Sequence, residues 1–284
     1  MPPRRRLGAA ATIGLALVGL FVAVALSAPV LAPYDPAARP GPPNAPPSGA
    51  HLLGTDDVGH DIWSHLILGT RASVVIGLAS AALATALGAV LGAAAGYSRG
   101  WVDALVSRSV DVSLALPTLP LLVVLAAFLG RSLFLQILVI AALAWARPAR
   151  IIRAQVMGAL TRGHVQAAEV MGAQAGWILT RHVSYYTVPL LIPLFVRVAM
   201  IAVVLEASLA FLGLGDPSRI SWGTMLFWAN SRGAFLGEQW LWWVLPPGVA
   251  IATLVVAFAL VGVAIEDRVN PSLDASRVPV AARA

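Results

Sequence analysis

Long apolar runs dominate the chain, and short polar segments separate them. The apolar stretches cover residues 7–31, 72–97, 112–129, 133–146, 187–212 and 241–265. A helix needs about 20 apolar residues to cross a hydrocarbon core about 30 Å thick. The pattern therefore predicts six membrane-spanning helices, of which the fourth is short.

The first apolar run can be interpreted in two ways. Arg4, Arg5 and Arg6 precede it, and small residues at positions 25–28 are similar to a signal-peptide cleavage site. Because the run is long and further spans follow, we interpret it as an uncleaved first span.

Two polar segments lie between the first and second spans. Residues 32–49 are rich in proline and glycine, which predicts an extended connector. In residues 51–70 the apolar positions recur at helical spacing, which predicts a short amphipathic helix on the membrane surface. Its carboxylates Asp56, Asp57 and Asp61 are expected to cap or anchor that helix, since acidic groups favour helix N-termini.

Glycines in the second span and prolines in the third predict where helices contact one another or bend. Gly88, Gly92 and Gly96 recur every four residues, which predicts a close contact with another helix. Pro117 and Pro120 predict a kink or break in the third span, either as a packing feature or as the flexible element of a gate.

The remaining polar segments are predicted to be loops. Residues 99–111 form a short connection, and residues 213–239 form a second long loop. The next residues, Trp240, Trp242 and Trp243, predict an interfacial aromatic belt before the sixth span.

The arginines predict the orientation in the membrane. Six spans place both termini on one side, and with the N-terminus inside, the predicted outer segments hold only a few arginines. These are Arg39, Arg71, Arg131, Arg219 and Arg232. Most of the others then lie on the cytoplasmic side, as the positive-inside rule requires. Residues 163–186 are therefore predicted to be cytoplasmic.

Composition supports this class and excludes others. The chain is 59% hydrophobic and 11% charged, whereas soluble domains are about 25% charged. It has no cysteine, so disulfide and thiol chemistry are excluded. All basic residues are arginine, so no phosphate-binding GxxxxGK[ST] loop is present and ATP hydrolysis by this chain is not expected. The net charge of +6 is dispersed at the ends of apolar runs, which indicates topology rather than nucleic-acid binding.

The polar segment 163–186 lies between two spans and must meet either water or another protein. Its Gln166, Ala167 and Ala168, followed by Gly172, resemble the EAA loop of permease subunits of bacterial ABC importers. The alanines would give a narrow helix face, and Gly172 would allow a sharp turn between two short helices.

Two further motifs strengthen the resemblance. Residues 53–61 contain Gly54, Thr55, Asp56, Gly59 and Asp61, and resemble the LGTDxxGRD signature of dipeptide, oligopeptide and nickel importer permeases. Residues 206–215, EASLAFLGLG, followed by a Trp-Gly pair at 222–223, are similar to that family's EASLSFLGLG…WG segment. The layout is similar to that of the second of two paired permeases.

The resemblance implies an all-α integral membrane protein with six transmembrane helices of the type I ABC importer permease fold. It implies a cytoplasmic tip and first helix at 1–31, an extracytoplasmic loop at 32–70, a core at 71–266 with the coupling loop at about 150–186, and a cytoplasmic tail at 267–284. It also implies three kinds of partner besides membrane lipid. They are a homologous permease, two ATP-binding subunits that hold ATP and Mg, and an extracytoplasmic solute-binding protein.

The chain departs from the family pattern at several positions. The EAA glutamate is Gln166, the arginine of GRD is His60, and the common Leu-Pro after the loop is Ser184-Tyr185. Glu169 lies one helical turn after Gln166 on nearly the same face. We therefore expect Glu169 to supply the missing charge toward the ATP-binding subunit.

Ionisable residues inside spans are candidates for function. Arg197 could snorkel to the interface or line the translocation pathway. Glu206 lies near the outer end of the fifth span, where it could contact substrate in the pathway or bond to the glycine-rich turn that follows, and we favour the bond to the turn. The cargo is expected to be peptides, with nickel chelates or other small solutes as the alternative.

Three other classes of protein fit the sequence less well. A proton-driven transporter needs ionisable groups in the membrane interior, where Glu206 stands near one end. An intramembrane enzyme needs a convergent catalytic set such as HExxH or a Ser/Lys dyad, and the sequence contains neither. A simple membrane anchor would not need the 163–186 segment.

The histidines His51, His60 and His65 cluster in the outer loop but lack the tight spacing of metal motifs. We therefore predict no metal site and no cofactor bound by this chain.

Overall fold

The computed structural model describes residues 8–269 of the 284, and the side chains only as far as residue 265. The predicted cytoplasmic tip with Arg4, Arg5 and Arg6 therefore lies outside the described residues. Most of the predicted tail at 267–284 lies outside them too.

The described residues form an all-helical bundle, and their single β contact is an isolated bridge between Thr55 and Asp61. The helices are α1 Ala9–Leu31, α2 Ile62–Ser98, α3 Gly100–Ala115, α4 Thr118–Leu129, α5 Leu133–Ala144, α6 Ala146–Leu160, α7 Gly163–Val170, α8 Ala175–Trp177, α9 Ser184–Leu209, α10 Trp222–Ser231 and α11 Leu245–Val269. Short π-helical turns at Ile178–Val183, Ala210–Leu214 and Trp240–Val244 join α8 to α9, extend α9 and precede α11.

Helix α2 is the centre of the bundle and packs along α1, α5, α6 and α9. Its 37 residues correspond to about 55 Å of helix, longer than the hydrocarbon core. The predicted surface helix at 51–70 is wrong, because α2 starts only at Ile62 and continues without a break through Arg71. No proline separates the amphipathic residues from the span, and neither Gly69 nor the charge of Arg71 ends the helix.

The glycine row of α2 confirms the predicted close contact. A side chain at Gly88, Gly92 or Gly96 would overlap backbone atoms of Trp145, Ala149 or Arg153. Helix α6 therefore packs directly on the backbone of α2, as small residues permit in membrane helices.

Four helices of the described part are long and apolar enough to cross a membrane, and two bent helix pairs raise the total to six. Helices α3 and α4 meet at 96°, and α5 and α6 meet at 44°. The predicted break falls at Pro117, the N-cap of α4, while Pro120 lies in the first turn of α4, where its missing N–H is tolerated. The predicted loop at 99–111 is wrong, since those residues belong mostly to α3.

Helix α3 is held against α6 by ion pairs. Arg153 forms a bidentate pair with Asp103, and Arg150 Nη2 lies 2.6 Å from Asp111 Oδ1. These partners explain why a segment with several polar residues is helical rather than a loop.

Two other expectations need correction. The predicted loop 213–239 contains α10, whose N-cap Ser221 forms a capping box with Thr224. In the predicted aromatic belt, Trp240 is exposed but Trp243 is buried in the core, 3% exposed.

The bundle has two distinct ends. Trp222 of α10 packs on the first turns of α2, where its ring N–H donates to the Leu66 carbonyl at 3.1 Å. At the other end of α2, Ala93 and Tyr97 pack with Val165 of α7 and Ile178. The loop of residues 32–61 and the segment of residues 163–186 therefore lie at opposite ends of α2.

Candidate functional site

The 163–186 segment is built from the short helix α7, a turn, and the start of the long helix that contains α8 and α9. Val165 and Ala168 are buried against this chain, 0% and 3% exposed. Val165 packs with Ile152, Ile178 and Val183 of the neighbouring elements. The segment is thus anchored through one face of α7.

The turn after α7 has the form of a Schellman motif. The N–H of Ala173 donates to the Ala168 carbonyl at 3.1 Å, and the N–H of Gly172 donates to the Glu169 carbonyl at 3.0 Å. Gly172 has φ 85°, a conformation that glycine adopts without strain. The predicted turn at Gly172 is therefore present.

The opposite face of α7 is exposed. It carries Gln166, Ala167 and Glu169, and it continues into Val170 and Met171, which are 89% and 80% exposed. The expectation that both alanines form the outward face is wrong for Ala168, which packs inward. Val170 and Met171 were missed, although two apolar residues before a glycine turn were a visible signal.

Aromatic and basic side chains connect α7 to the start of α9. The Arg162 guanidinium lies 4.1 Å from the centre of the Tyr186 ring. His182 contacts the rings of His164 and Trp177, at 5.7 and 4.9 Å between centroids. A movement of α7 would therefore be transmitted directly to the long helix that begins at Ala175.

Glu206 is buried in the bundle and links three helices. It is 1% exposed, and its carboxylate accepts a hydrogen bond from the Ser73 hydroxyl of α2 at 3.1 Å. Ser73 Oγ in turn accepts from the N–H of Trp222 in α10 at 3.3 Å. Among the described residues Glu206 thus has a structural partner, as expected, but this partner is Ser73 rather than the glycine-rich turn, and at 133 positions away it could not be found from the sequence.

Arg197 lies on the exposed side of α9, inside the same long helix. This position agrees both with a residue that lines a pathway and with one that reaches the interface, so the two interpretations of Arg197 stay predictions.

The 32–61 loop is held together by side chains that bond to backbone. Thr55, 0% exposed, accepts from the Ala45 N–H at 2.9 Å and donates to the Pro42 carbonyl at 2.5 Å. Gly54 and Gly59 have φ of 71° and 93°, and a side chain on either would overlap a carbonyl oxygen, that of Ala45 or of Gly41. The signature residues therefore build the loop itself.

Asp61 joins the 32–61 loop to α2. As N-cap it accepts from the Ser64 N–H at 2.8 Å and from the Ser64 hydroxyl at 2.7 Å, and His51 Nδ1 lies 2.9 Å from its other oxygen. The expected capping role is confirmed for Asp61. Asp57 instead forms an ion pair with Arg232 at the end of α10, with 3.0 Å between Asp57 Oδ2 and Arg232 Nε.

A cavity of about 470 Å³ lies between the 32–61 loop and the region around α10, and we call it the loop cavity. Its lining includes Asp56, His60 and His65 and also Arg219, Trp228 and Arg232. The cavity therefore presents imidazole, carboxylate and guanidinium groups.

Asp216 anchors the segment that forms one edge of this cavity. It accepts from the Leu133 N–H at 3.1 Å and from the Ser218 hydroxyl at 2.6 Å and N–H at 2.9 Å. Burial alone would raise the pKa of the Asp216 carboxyl, but hydrogen bonds from Ser218 and Leu133 and the charge of Arg219 together hold this pKa below its ordinary value.

Comparison with known proteins identifies the class. Residues 88–275 match the family described as "Binding-protein-dependent transport system inner membrane component". Over 93% of its length, the chain is 38% identical to the dipeptide transport system permease protein of Escherichia coli and 36% identical to that of Haemophilus influenzae, covering 89% and 90% of those proteins. It is 30% identical to the oligopeptide transport system permease protein of Bacillus subtilis, over 93% of this chain and 86% of that protein.

The family match covers more than half of the chain, and the three relatives are aligned with nearly all of it. The chain therefore belongs to the family of binding-protein-dependent transport system inner membrane components. It is a multi-pass membrane protein with the all-α architecture of such permeases. The family expected from the three sequence motifs is thus confirmed.

Proposed function

We propose that this chain is the permease subunit of an ATP-driven importer and forms half of the translocation pathway for di- or oligopeptides. The carrying observation is the alignment of 93% of the chain with permeases named for dipeptide and oligopeptide transport. These names also favour peptides over the nickel-chelate alternative. The secondary-transporter alternative has no comparable support.

In this proposal both termini and the 163–186 segment are cytoplasmic, and the 32–61 loop faces outward. The arginine distribution supports this orientation. A solute-binding protein delivers the peptide at the 32–61 side, a homologous permease completes the pathway, and two ATP-binding subunits attach at the 163–186 side. No catalytic residue and no cofactor are assigned to this chain, and ATP and Mg belong to the partner subunits.

The exposed face of α7 is the proposed coupling surface, and we define it as Gln166, Ala167, Glu169, Val170 and Met171. Val170 and Met171 are large apolar side chains that water surrounds in the isolated chain. Burying each of them against a partner would contribute about 1.5–3 kcal/mol. Glu169, beside them, would supply the charge that Gln166 lacks.

The coupling surface would act through the long helix that follows it. ATP binding closes the ATP-binding subunits and carries α7 with them. The packing of α7 on Ile178 and the contacts of Arg162 and His164 with Tyr186 would then move the start of α9. The different affinity of the ATP-binding pair for ATP in the two conformations supplies the bias between them.

Peptide uptake tests this proposal. A strain that lacks this chain, and that requires an amino acid supplied only in a dipeptide or a tetrapeptide, should grow when the chain is restored together with its partners. Uptake of the radiolabelled peptide should follow the same pattern and should stop when ATP is depleted. Growth on the free amino acid is the control. Equal peptide uptake with and without the chain would contradict the proposal.

A further inference from the structure

We propose that Asp56, His60 and His65 form a binding site for a divalent transition-metal ion such as Zn²⁺ at the wall of the loop cavity. One ligand atom from each residue lies within 4.8 Å of the other two. Donor atoms of a tetrahedral zinc site with bonds of about 2.0–2.1 Å lie about 3.3 Å apart. The side chains thus need to approach one another by at most about 1.5 Å.

The surroundings of His65 prepare it as a ligand. Its Nε2 lies 3.0 Å from the Pro36 carbonyl oxygen, which can only accept a hydrogen bond, so Nε2 carries the proton. In the neutral ring the lone pair is then on Nδ1. Metal-binding histidines commonly donate their other N–H to a backbone carbonyl in this way, which fixes the tautomer and the ring orientation.

His60 and Asp56 supply the other two ligands. His60 Nδ1 lies 2.7 Å from Asp56 Oδ2, and one proton is shared between them. A metal ion that takes the place of this proton would be bound by an imidazole nitrogen and a carboxylate oxygen at once, with release of the proton. The other oxygen, Oδ1, accepts from the N–H groups of Val58 and His60, so the carboxylate is already held in position.

The charges and the shape of the region favour a cation with open coordination positions. Asp57 pairs with Arg232 at 3.0 Å, so a carboxylate already offsets one of the guanidinium charges that line the loop cavity. Two histidines and one carboxylate leave a fourth position of a zinc ion open. All three ligands line the loop cavity, so this position would be filled by water or by a molecule in the cavity.

This inference differs from the metal-free expectation drawn from the sequence. Asp56 and His60 flank a turn of the 32–61 loop and His65 lies in the first turn of α2, which gives no regular motif spacing. The proposed ion site is also independent of the proposed peptide transport, because the ion would be bound at the permease rather than transported. One histidine of the loop and one of α2 thus acquire a role that the family signature does not describe.

The experiment measures Zn²⁺ binding to the full-length chain assembled with its partner subunits and purified without a polyhistidine tag. After treatment with a chelator, the complex is dialysed against ZnCl₂, and bound zinc is measured by mass spectrometry and titration calorimetry. We expect one Zn²⁺ per chain beyond the content of the His60→Gln, His65→Gln double variant. Each single variant should weaken this binding by about tenfold or more.

Two controls make the result specific. His164→Gln alters a histidine at the opposite end of α2 and should leave zinc binding unchanged, whereas His65→Cys replaces one zinc ligand by another and should retain it. Equal zinc content and affinity in the wild type and the double variant would overturn the proposal.

A spectroscopic measurement on the wild type removes the dependence on variant folding. X-ray absorption at the zinc edge should show imidazole ligation in the complex that has bound one equivalent of Zn²⁺. Because the chain has no cysteine, its contribution is nitrogen and oxygen only. A spectrum without imidazole scattering would contradict the proposed ligands.

Discussion

The 32–61 loop and the 163–186 segment both carry the motif residues of the family, but they use them in opposite ways. In the loop, the motif side chains of Thr55, Asp56 and Asp61 point inward and are at most 7% exposed. In the segment, Gln166, Ala167 and Glu169 point outward. One motif therefore specifies the fold of its own chain, whereas the other leaves an exposed surface, which we propose meets a partner.

Removing a carboxylate in each region should separate the two roles most strongly. Asp61→Ala removes the cap of α2 and leaves the buried His51 nitrogen and Ser64 groups without their partner. We expect it to lower the free energy of unfolding by about 3 kcal/mol. Glu169→Ala should change it by less than about 0.5 kcal/mol.

Thermal unfolding of the purified chain in detergent measures both variants against the wild type. Equal midpoints for Asp61→Ala and Glu169→Ala would break the distinction between the two regions. Asp61→Asn is the matched control, since its amide oxygen can still accept a hydrogen bond from Ser64 and should restore part of the loss.

Alanine at a glycine of each region should give a smaller contrast. Gly59 and Gly172 both have positive φ, 93° and 85°. A methyl group at Gly59 would overlap the Gly41 carbonyl, whereas nothing lies near such a group at Gly172. We expect Gly59→Ala to destabilise by about 2 kcal/mol or more and Gly172→Ala by about 1 kcal/mol, the strain of the backbone alone.

The same unfolding assay tests this contrast. A loss at Gly172→Ala that equals or exceeds the loss at Gly59→Ala would show that the turn after α7 is as tightly packed as the 32–61 loop. Gly158→Ala, at a helical glycine with open space around it, is the control and should have no destabilising effect.

Charge reversal at the coupling surface should affect function with little effect on stability. We expect Glu169→Arg, with Gln166 unchanged, to lower the peptide-stimulated ATPase activity of the assembled importer by about tenfold, because a like charge would face the partner. Glu169→Gln removes the charge without reversing it and should cause a smaller loss of this activity. Unchanged coupling in Glu169→Arg would refute the role of Glu169.

Much of the fold follows from the sequence because apolar runs of sufficient length have few alternatives in a membrane. The six apolar stretches, the break at Pro117 and the contact at the α2 glycines were predicted for physical reasons that act locally. Helix boundaries were less predictable. Arg71 interrupts an apolar pattern without interrupting a helix, and α2 continues through it.

The candidate sites show where local reasoning ends. The outward face of α7 depends on which residues the rest of the chain covers, so Ala167 and Ala168 look equivalent in the sequence but point in opposite directions. The link between Ser73 and Glu206 joins residues 133 positions apart, and only the packing of α2 on α9 brings them together. The loop cavity likewise could not be predicted, because packing brings its lining together from residues 36–65 and residues 217–243.

The most direct test of the coupling surface uses the absence of cysteine from the chain. Val170→Cys, Ala168→Cys and Leu52→Cys are made separately, at positions that are 89%, 3% and 59% exposed. The rate of maleimide labelling is measured for each, with the chain alone and with the chain bound to its ATP-binding subunits.

We predict that the ATP-binding subunits slow labelling of Val170→Cys about tenfold or more, as expected for a side chain buried at an interface core. Ala168→Cys should label slowly in both states, and Leu52→Cys should label at the same rate in both. Labelling of Val170→Cys at an unchanged rate in the assembled complex would contradict the assignment of α7 as the surface that meets the ATP-binding subunits.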